Sequence, residues 1–243
     1  MKKVLIFTAS RSEHPLLEPL VLYSKRRADV KIILKYMNPK QPMHELMKGI
    51  QDHIKYREPD IVMPCFDRRE QLPVAFASFF LNIPTFHLCA GAAGSGTWDD
   101  VTRHVLSTFS HILLCESPEA RDRMIRAGEE PWRCIVVGTT HFDNLNMGEI
   151  MESPRPMPEP YDLMLMNPVT ISSDQTKQDT EKALSYIDKK TVAIQPNEDQ
   201  YGNIILNCYE KYQESHRDVL KIMPTVRRVY FLKLLRHCSR FIS

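Results

Sequence analysis

The chain has 243 residues, with 32 Lys and Arg against 30 Asp and Glu and a formal net charge of +2. That near-balance excludes the basic excess of a nucleic-acid or membrane-surface binder, and 43% hydrophobic residues suffice for one large core or two small ones. No stretch approaches the ~20 apolar residues of a membrane helix, and the short apolar run after Lys3 is no signal peptide, so a cytoplasmic protein is expected.

Short β-branched apolar runs alternate with helical patterns. "KVLIFTA" reads as a strand and Glu13 to Arg27 as a helix. "DVKIILKYM" is the next strand, followed by a helix over Met43 to Tyr56. "DIVMPCF" is a third strand, with a helix over Gln71 to Leu81. "PTFHLC", "HILLCE" and "RCIVVG" follow as strands, with helices over Asp99 to Phe109 and Pro118 to Ala127. This alternation predicts an α/β fold: a parallel sheet, its apolar strands covered by helices on both faces.

The segment "MESPRPMPEP" carries four prolines in ten residues. Proline fixes φ and removes a donor, so a linker over 153–160 is expected between domains at 1–152 and 161–243. Past it, "YDLMLMN", "TVAIQPN" and "VLKIMP" read as strands, with helices over Gln175 to Ile187, Asn203 to Ser215 and Val229 to Cys238. The six cysteines include no CxxC pair and mostly sit in apolar runs, so they read as reduced core residues. No metal site or cofactor is predicted.

Ligands of open α/β sheets bind beyond the carboxyl ends of the strands, and four polar clusters fall there. In "TASRSEH", Arg11 is suited to an anion at a helix N-terminus, although Ser10 or Ser12 as a helix cap explains the same letters. In "CFDRREQ", Asp67, Arg68 and Glu70 follow an apolar strand abruptly. An acid there can act as general base or orient a hydroxyl, while a capped helix with surface charges is the simpler account. In "LCAGAAGSGTWDDVTRH", Gly91, Gly94 and Gly96 permit close backbone approach to a ligand. Asp99 and Asp100 then open a helix, and Arg103 and His104 follow one turn later. "MNPVT" and "PNEDQYGN" place Asn167, Asn197 and Asp199 after apolar strands, where ordinary turn chemistry is also sufficient.

Taken in order, "SRSEH", "FDRRE", "IPTFH", the Gly-rich loop with its acidic pair and Arg-His, "FSHILLCE", "AGEEPWRCIVVG", "FDNL", "NPVT" and "PNEDQYG" resemble the motif series of the UDP-N-acetylglucosamine 2-epimerase family, in particular its hydrolysing, sialic-acid-pathway branch. The resemblance implies two Rossmann-like domains facing a cleft, as in GT-B glycosyltransferases. It implies a UDP-sugar substrate whose C2 proton is removed as UDP leaves C1, giving a glycal that water converts to N-acetylmannosamine. Asp67, Asp99, Asp100, Arg103 and His104 would be the catalytic group. Arg11, Arg68, Glu70, Asn167, Asn197 and Asp199 would bind substrate. Three departures stand out. Cys89 replaces a family glutamate, which reads as lost proton chemistry, because a thiol does that work only with a lowered pKa. Asn167 replaces a histidine. The chain stops at "CSRFIS", where relatives continue into an N-S-S-S-G loop, so an incomplete second domain is expected, and its open sheet edges predict a homo-oligomer. A relative that binds sugar nucleotide without turnover and a GT-B-like glycosyltransferase are the alternative readings.

Overall fold

Strands and helices alternate as expected in the computed structural model, which describes residues 1–9, 13–94, 98–143, 145–197 and 199–243. The chain divides into two units, Met1–Asn144 and Leu145–Ser243. Among the described residues every strand pairing in both units is parallel. The fold is therefore α/β.

The first unit runs β1 (Lys2–Thr8), α1 (His14–Ser24), β2 (Val30–Tyr36), α2 (Met43–Arg57), β3 (Ile61–Met63), α3 (Leu72–Phe80), β4 (Phe86–Ala90), α4 (Trp98–Phe109), β5 (Ile112–Cys115), α5 (Pro118–Arg126) and β6 (Cys134–Val136). Its strands form two ladders, β2-β1-β3 and β4-β5-β6. Parallel bridges Val62–Thr85 and Cys65–Leu88 join them, so the order across the unit is β2-β1-β3-β4-β5-β6. The direction of winding reverses between β1 and β3. In sheets of this kind the crevice beyond that reversal is where ligands bind.

Strand β1 shows why its run is apolar throughout. Leu5 and Phe7 join the core that contains Leu46, Ile50 and Ile54 of α2. Val4 and Ile6 join the opposite core with Leu17 of α1. Alternate side chains are thus buried on opposite faces, each worth roughly 1.5–3 kcal/mol when fully covered. Helix α2 supplies its share through the i, i+4, i+8 spacing of Leu46, Ile50 and Ile54. Helix α5 starts at Ser117, whose hydroxyl accepts from the Ala120 N–H at 3.2 Å, with Pro118 in the first turn.

The second unit runs α6 (Met147–Met151), β7 (Asp162–Met164), α7 (Ser173–Ser185), β8 (Thr191–Ile194), α8 (Gly202–Ser215), β9 (Leu220–Met223), α9 (Arg228–His237) and β10 (Phe241–Ile242), with strand order β10-β7-β8-β9. The division between units falls ahead of the proline-rich segment at which the sequence places it. The reason is α6: it contacts α9, and Lys233 Nζ reaches Glu149 at 2.9 Å. The prolines therefore lie inside the second unit.

A buried charge ties β10 to β7. Asp162 is fully buried and accepts from Arg240 Nε and Nη2 at 2.9 and 2.6 Å, with Lys189 Nζ at 3.3 Å. Removing one partner of such a carboxylate leaves buried charge uncompensated. Arg240→Met is expected to lower the urea midpoint by more than Lys189→Met, since it takes away the two direct hydrogen bonds. Equal midpoints for the two variants in a urea melt would refute that ranking.

Candidate functional site

Two of the polar clusters predicted in the first unit, those after β3 and β4, meet beyond the carboxyl ends of these strands. Regular pairing of β3 ends at Met63, where Pro64 lacks an N–H, and after the last bond to β4, from the Phe66 N–H to the Leu88 carbonyl, the φ of +63° at Phe66 turns the chain out and presents Asp67. Asp67 Oδ2 accepts from Arg103 Nη2. Arg103 Nη1 in turn donates to Asp100 Oδ1 at 3.2 Å and to the Ala92 carbonyl at 2.9 Å. The arginine side chain is 14% exposed and the Asp67 side chain 25%. One guanidinium therefore joins two carboxylates and the Gly-rich loop. Asp99 and Asp100 lie in the first turn of α4, where the helix dipole favours anions.

His87 closes the back of this cluster. It is fully buried, with Nδ1 2.9 Å from Ser107 Oγ and Nε2 2.9 Å from the Phe66 carbonyl. Burial pushes its pKa down to about 4, and the nearby Arg103 charge acts in the same direction. A neutral ring bonded to a carbonyl carries its proton on Nε2, and Nδ1 accepts from Ser107. His87 thereby fixes the backbone at Phe66, just before Asp67.

Glu70 differs from a surface charge. Its side chain is 2% exposed and takes Arg68 Nε at 3.1 Å and Arg69 Nε at 3.3 Å. It holds Arg68 in place from behind. His104 is exposed on α4, and its side chain makes no hydrogen bond or ion pair among the described residues. The residue after Arg103 lies about 100° further round the helix, so the Arg-His pair does not act as a unit. Arg11 lies outside the described residues. The Glu13 carboxylate accepts from Thr8 Oγ1 at 2.8 Å and the Ala9 N–H at 3.0 Å, which ties the start of α1 to the end of β1.

A second cluster was not predicted. Cys89 is the extra residue of a bulge in β4: Leu88 pairs with Leu114, Ala90 with Cys115, and Cys89 has φ of +68°. Bulges redirect a side chain, and here the thiol donates to Glu116 Oε1 at 2.9 Å. Thr139 Oγ1 donates to the same oxygen at 2.8 Å, and His141 Nδ1 is 3.5 Å from it. These contacts, that of His141 first, hold Glu116 ionised, with a pKa of about 2. Burial, reinforced by the Glu116 charge, drives the Cys89 thiol far up, so it stays protonated. The reading of Cys89 as unable to take protons is consistent with this, but a carboxylate stands directly beside it. All six cysteines are free thiols, and Cys65, Cys89, Cys115 and Cys134 are buried.

The second-unit candidates are described by themselves. Asn167 is exposed beyond β7. Asn197 Nδ2 donates to Asp199 Oδ2 beyond β8. Gly202 fits this turn because a Cβ there would meet the Asn197 carbonyl at 2.4 Å. Among the described residues no group of three or more His, Cys, Asp or Glu could hold a metal ion, and no helix is long and apolar enough to cross a membrane.

The first unit is thus of the doubly wound α/β class, in which ligands bind beyond the carboxyl ends of the strands, and its carboxylates, guanidinium groups and neutral histidine lie at the ends of β3 and β4. The model of the UDP-N-acetylglucosamine 2-epimerase family matches residues 24–243, and the chain belongs to that family. It is 29% identical over 207 residues to the UDP-N,N'-diacetylbacillosamine 2-epimerase (hydrolyzing) of Legionella pneumophila, a match covering 79% of this chain and 52% of that protein. The chain thus spans about half the length of that relative. Its fold superimposes on the S. aureus MnaA–UDP co-structure with a TM-score of 0.80 at 15% identity, covering 99% of this chain and 74% of that one. It also superimposes on the Neisseria meningitidis UDP-GlcNAc 2-epimerase bound to UDP-GlcNAc, with a TM-score of 0.77 at 14% identity, covering 99% and 77%.

Proposed function

We propose that this protein acts as a hydrolysing 2-epimerase on a UDP-linked N-acetylamino sugar. The observation that carries the reading is the Asp67–Arg103–Asp100 cluster beyond the ends of β3 and β4 in a chain that belongs to this family. The C2 proton of the sugar is weakly acidic, so a base must be held in place and partly desolvated. Asp67 meets that need: it is paired with Arg103 and mostly screened from solvent. Asp99 and Asp100 supply the second acid–base group. Arg103 balances their charge and positions them. As the C1–O bond breaks, negative charge grows on the diphosphate, and cationic groups stabilise it. Arg11 and Arg68 take that role, with Glu70 holding Arg68. Asn167, Asn197 and Asp199 contribute to substrate binding from the second unit. Elimination leaves a glycal, and addition of water gives the 2-epimer and UDP.

The name of the Legionella relative favours N,N'-diacetylbacillosamine as the UDP-linked group, and the Neisseria structure favours N-acetylglucosamine. Proton NMR in deuterated buffer tests the activity and ranks the substrates. Incubation with each UDP-sugar is expected to release UDP and a 2-epimer deuterated at C2. A folded protein that binds UDP yet leaves both C2 protons unexchanged and both sugars intact would rule out catalysis.

A further inference from the structure

Water addition to a glycal has its own proton demand, and the Asp67 cluster meets only the demand at C2. As the C1–O bond forms, the attacking water must lose a proton. The cluster at the ends of β4, β5 and β6 is built for a transfer of that kind.

Its hydrogen bonds define a direction. Thr139 Oγ1 gives its single proton to Glu116 Oε1 at 2.8 Å. Thr139 Oγ1 itself lies 2.5 Å from His141 Nδ1 and accepts from the His141 backbone N–H at 3.2 Å. Having donated its proton, the hydroxyl can only accept from the ring. Nδ1 therefore carries the hydrogen, and Nε2 presents a lone pair. The ring is not locked away: the His141 side chain is 44% exposed. It rests edge-on against Phe66 at 6.1 Å between centroids, and Phe66 directly precedes Asp67. The Arg103 charge acts on the Cys89 thiol, which itself donates to Glu116, so the two clusters are neighbours. An imidazole whose Nδ1–H is held by a hydroxyl, with a carboxylate behind it and Nε2 left open, is arranged as a general base is.

We propose that His141 Nε2 accepts the proton of the water that adds to the glycal, and that Thr139 and Glu116 are positioning residues that set its tautomer and stabilise its cation. The proposal rests on the 2-epimerase reading above. In the step, a water O–H bond breaks and its proton goes to Nε2. The oxygen bonds C1. The C1=C2 electron pair forms a C2–H bond with a solvent-derived proton given by a second carboxylic acid, from the Asp99 and Asp100 pair, on the face opposite the one that lost its proton, while the acid formed at Asp67 in the first step returns its own proton to solvent. The imidazolium then loses its proton to solvent, and both clusters return to their starting states.

Product partition tests this. With wild-type protein, UDP, free glycal and 2-epimer are followed together by NMR. His141→Gln is expected to keep UDP release within about threefold of wild type, while 2-epimer formation falls about 10²–10³-fold and glycal accumulates. Thr139→Val and Glu116→Gln should move the partition the same way by smaller factors. Imidazole added to His141→Ala should restore 2-epimer formation. Circular dichroism and UDP binding by calorimetry check that each variant is folded, and Thr139→Val serves if a histidine variant is not. An unchanged partition in folded His141→Gln and Thr139→Val overturns the proposal. So does an equal loss of UDP release and 2-epimer, because His141 would then act before the glycal. Wild-type protein that releases neither UDP nor 2-epimer overturns the 2-epimerase reading itself, a different result from either of these.

Discussion

Asp67→Asn should abolish most turnover while leaving UDP binding nearly intact. The substitution keeps the size of the side chain and a carbonyl oxygen that can still accept from Arg103 Nη2. It removes the negative charge and the ability to take a proton. A positioned base contributes about 10²–10⁴-fold to a proton-transfer step, so kcat for 2-epimer formation should fall by that range. Substrate affinity should change little, because the phosphate contacts are assigned to other residues. Deuterium incorporation at C2 should fall in parallel with UDP release, since both depend on the same proton removal. The structural cost should be modest. Arg103 keeps Asp100 at 3.2 Å and the Ala92 carbonyl at 2.9 Å, so stability should drop by about 1–3 kcal/mol, the scale of one weakened charged hydrogen bond. Steady-state kinetics, calorimetry with UDP and a thermal melt separate these effects. Wild-type turnover in Asp67→Asn would remove this residue from the proton chemistry.

The architecture was legible because parallel strands are buried on both faces. Their continuous apolar runs stand out between helices whose apolar positions recur at three and four residues. The strand ends were less legible. "DIVMPCF" reads as one strand through Phe66, yet regular pairing stops at Met63, because Pro64 has no N–H to continue the ladder. Only the bridge from Cys65 to Leu88 carries it further. The division between the two units falls ahead of the prolines for a related reason. Four prolines signal irregular chain, but they say nothing of which side a short helix joins, and α6 joins the second unit through Glu149 and Lys233.

Within the site, Asp67, Asp100 and Arg103 were legible as abrupt charges after apolar strands, and the structure brings them together. His104 was included through its neighbour, and helical geometry separates the two. Glu116 and His141 were missed. In "HILLCESPEA", Glu116 reads as the polar step before the Ser117 cap. What makes it a site group is the bulge that turns Cys89 toward it, and a left-handed residue other than glycine leaves no mark in the sequence. The signal that could have found it was present: a position where a carboxylate is expected holds a thiol, and such a loss invites a search for a carboxylate within reach of that thiol.

Gly91→Ala should damage both stability and turnover, and the reason lies in the same turn. Gly91 has φ of +76°, and a Cβ built on it would stand 2.3 Å from the Ala120 carbonyl oxygen and 2.9 Å from Met124 Cγ. The methionine can move aside. The carbonyl belongs to the first turn of α5, which is held by the Ser117 cap, so the Gly91 turn must shift instead. The left-handed conformation costs an alanine roughly 1–2 kcal/mol, and forced overpacking costs about 1–3 kcal/mol more. For a chain of this size that sum corresponds to a fall in Tm of about 5–15 °C. Gly94 supplies the control: its φ is not positive and nothing lies within 4 Å of its Cβ position, so Gly94→Ala should melt within about 2 °C of wild type. The loss of activity in Gly91→Ala should exceed what its stability explains. Gly91 follows the Cys89 bulge and precedes Ala92, whose carbonyl holds Arg103, so moving it displaces the partners of both Glu116 and Asp67. Assayed well below its melting temperature, the variant should therefore remain folded and still turn over at least tenfold more slowly. If Gly91→Ala and Gly94→Ala instead melt together, the close approach at Ala120 is not what fixes this loop.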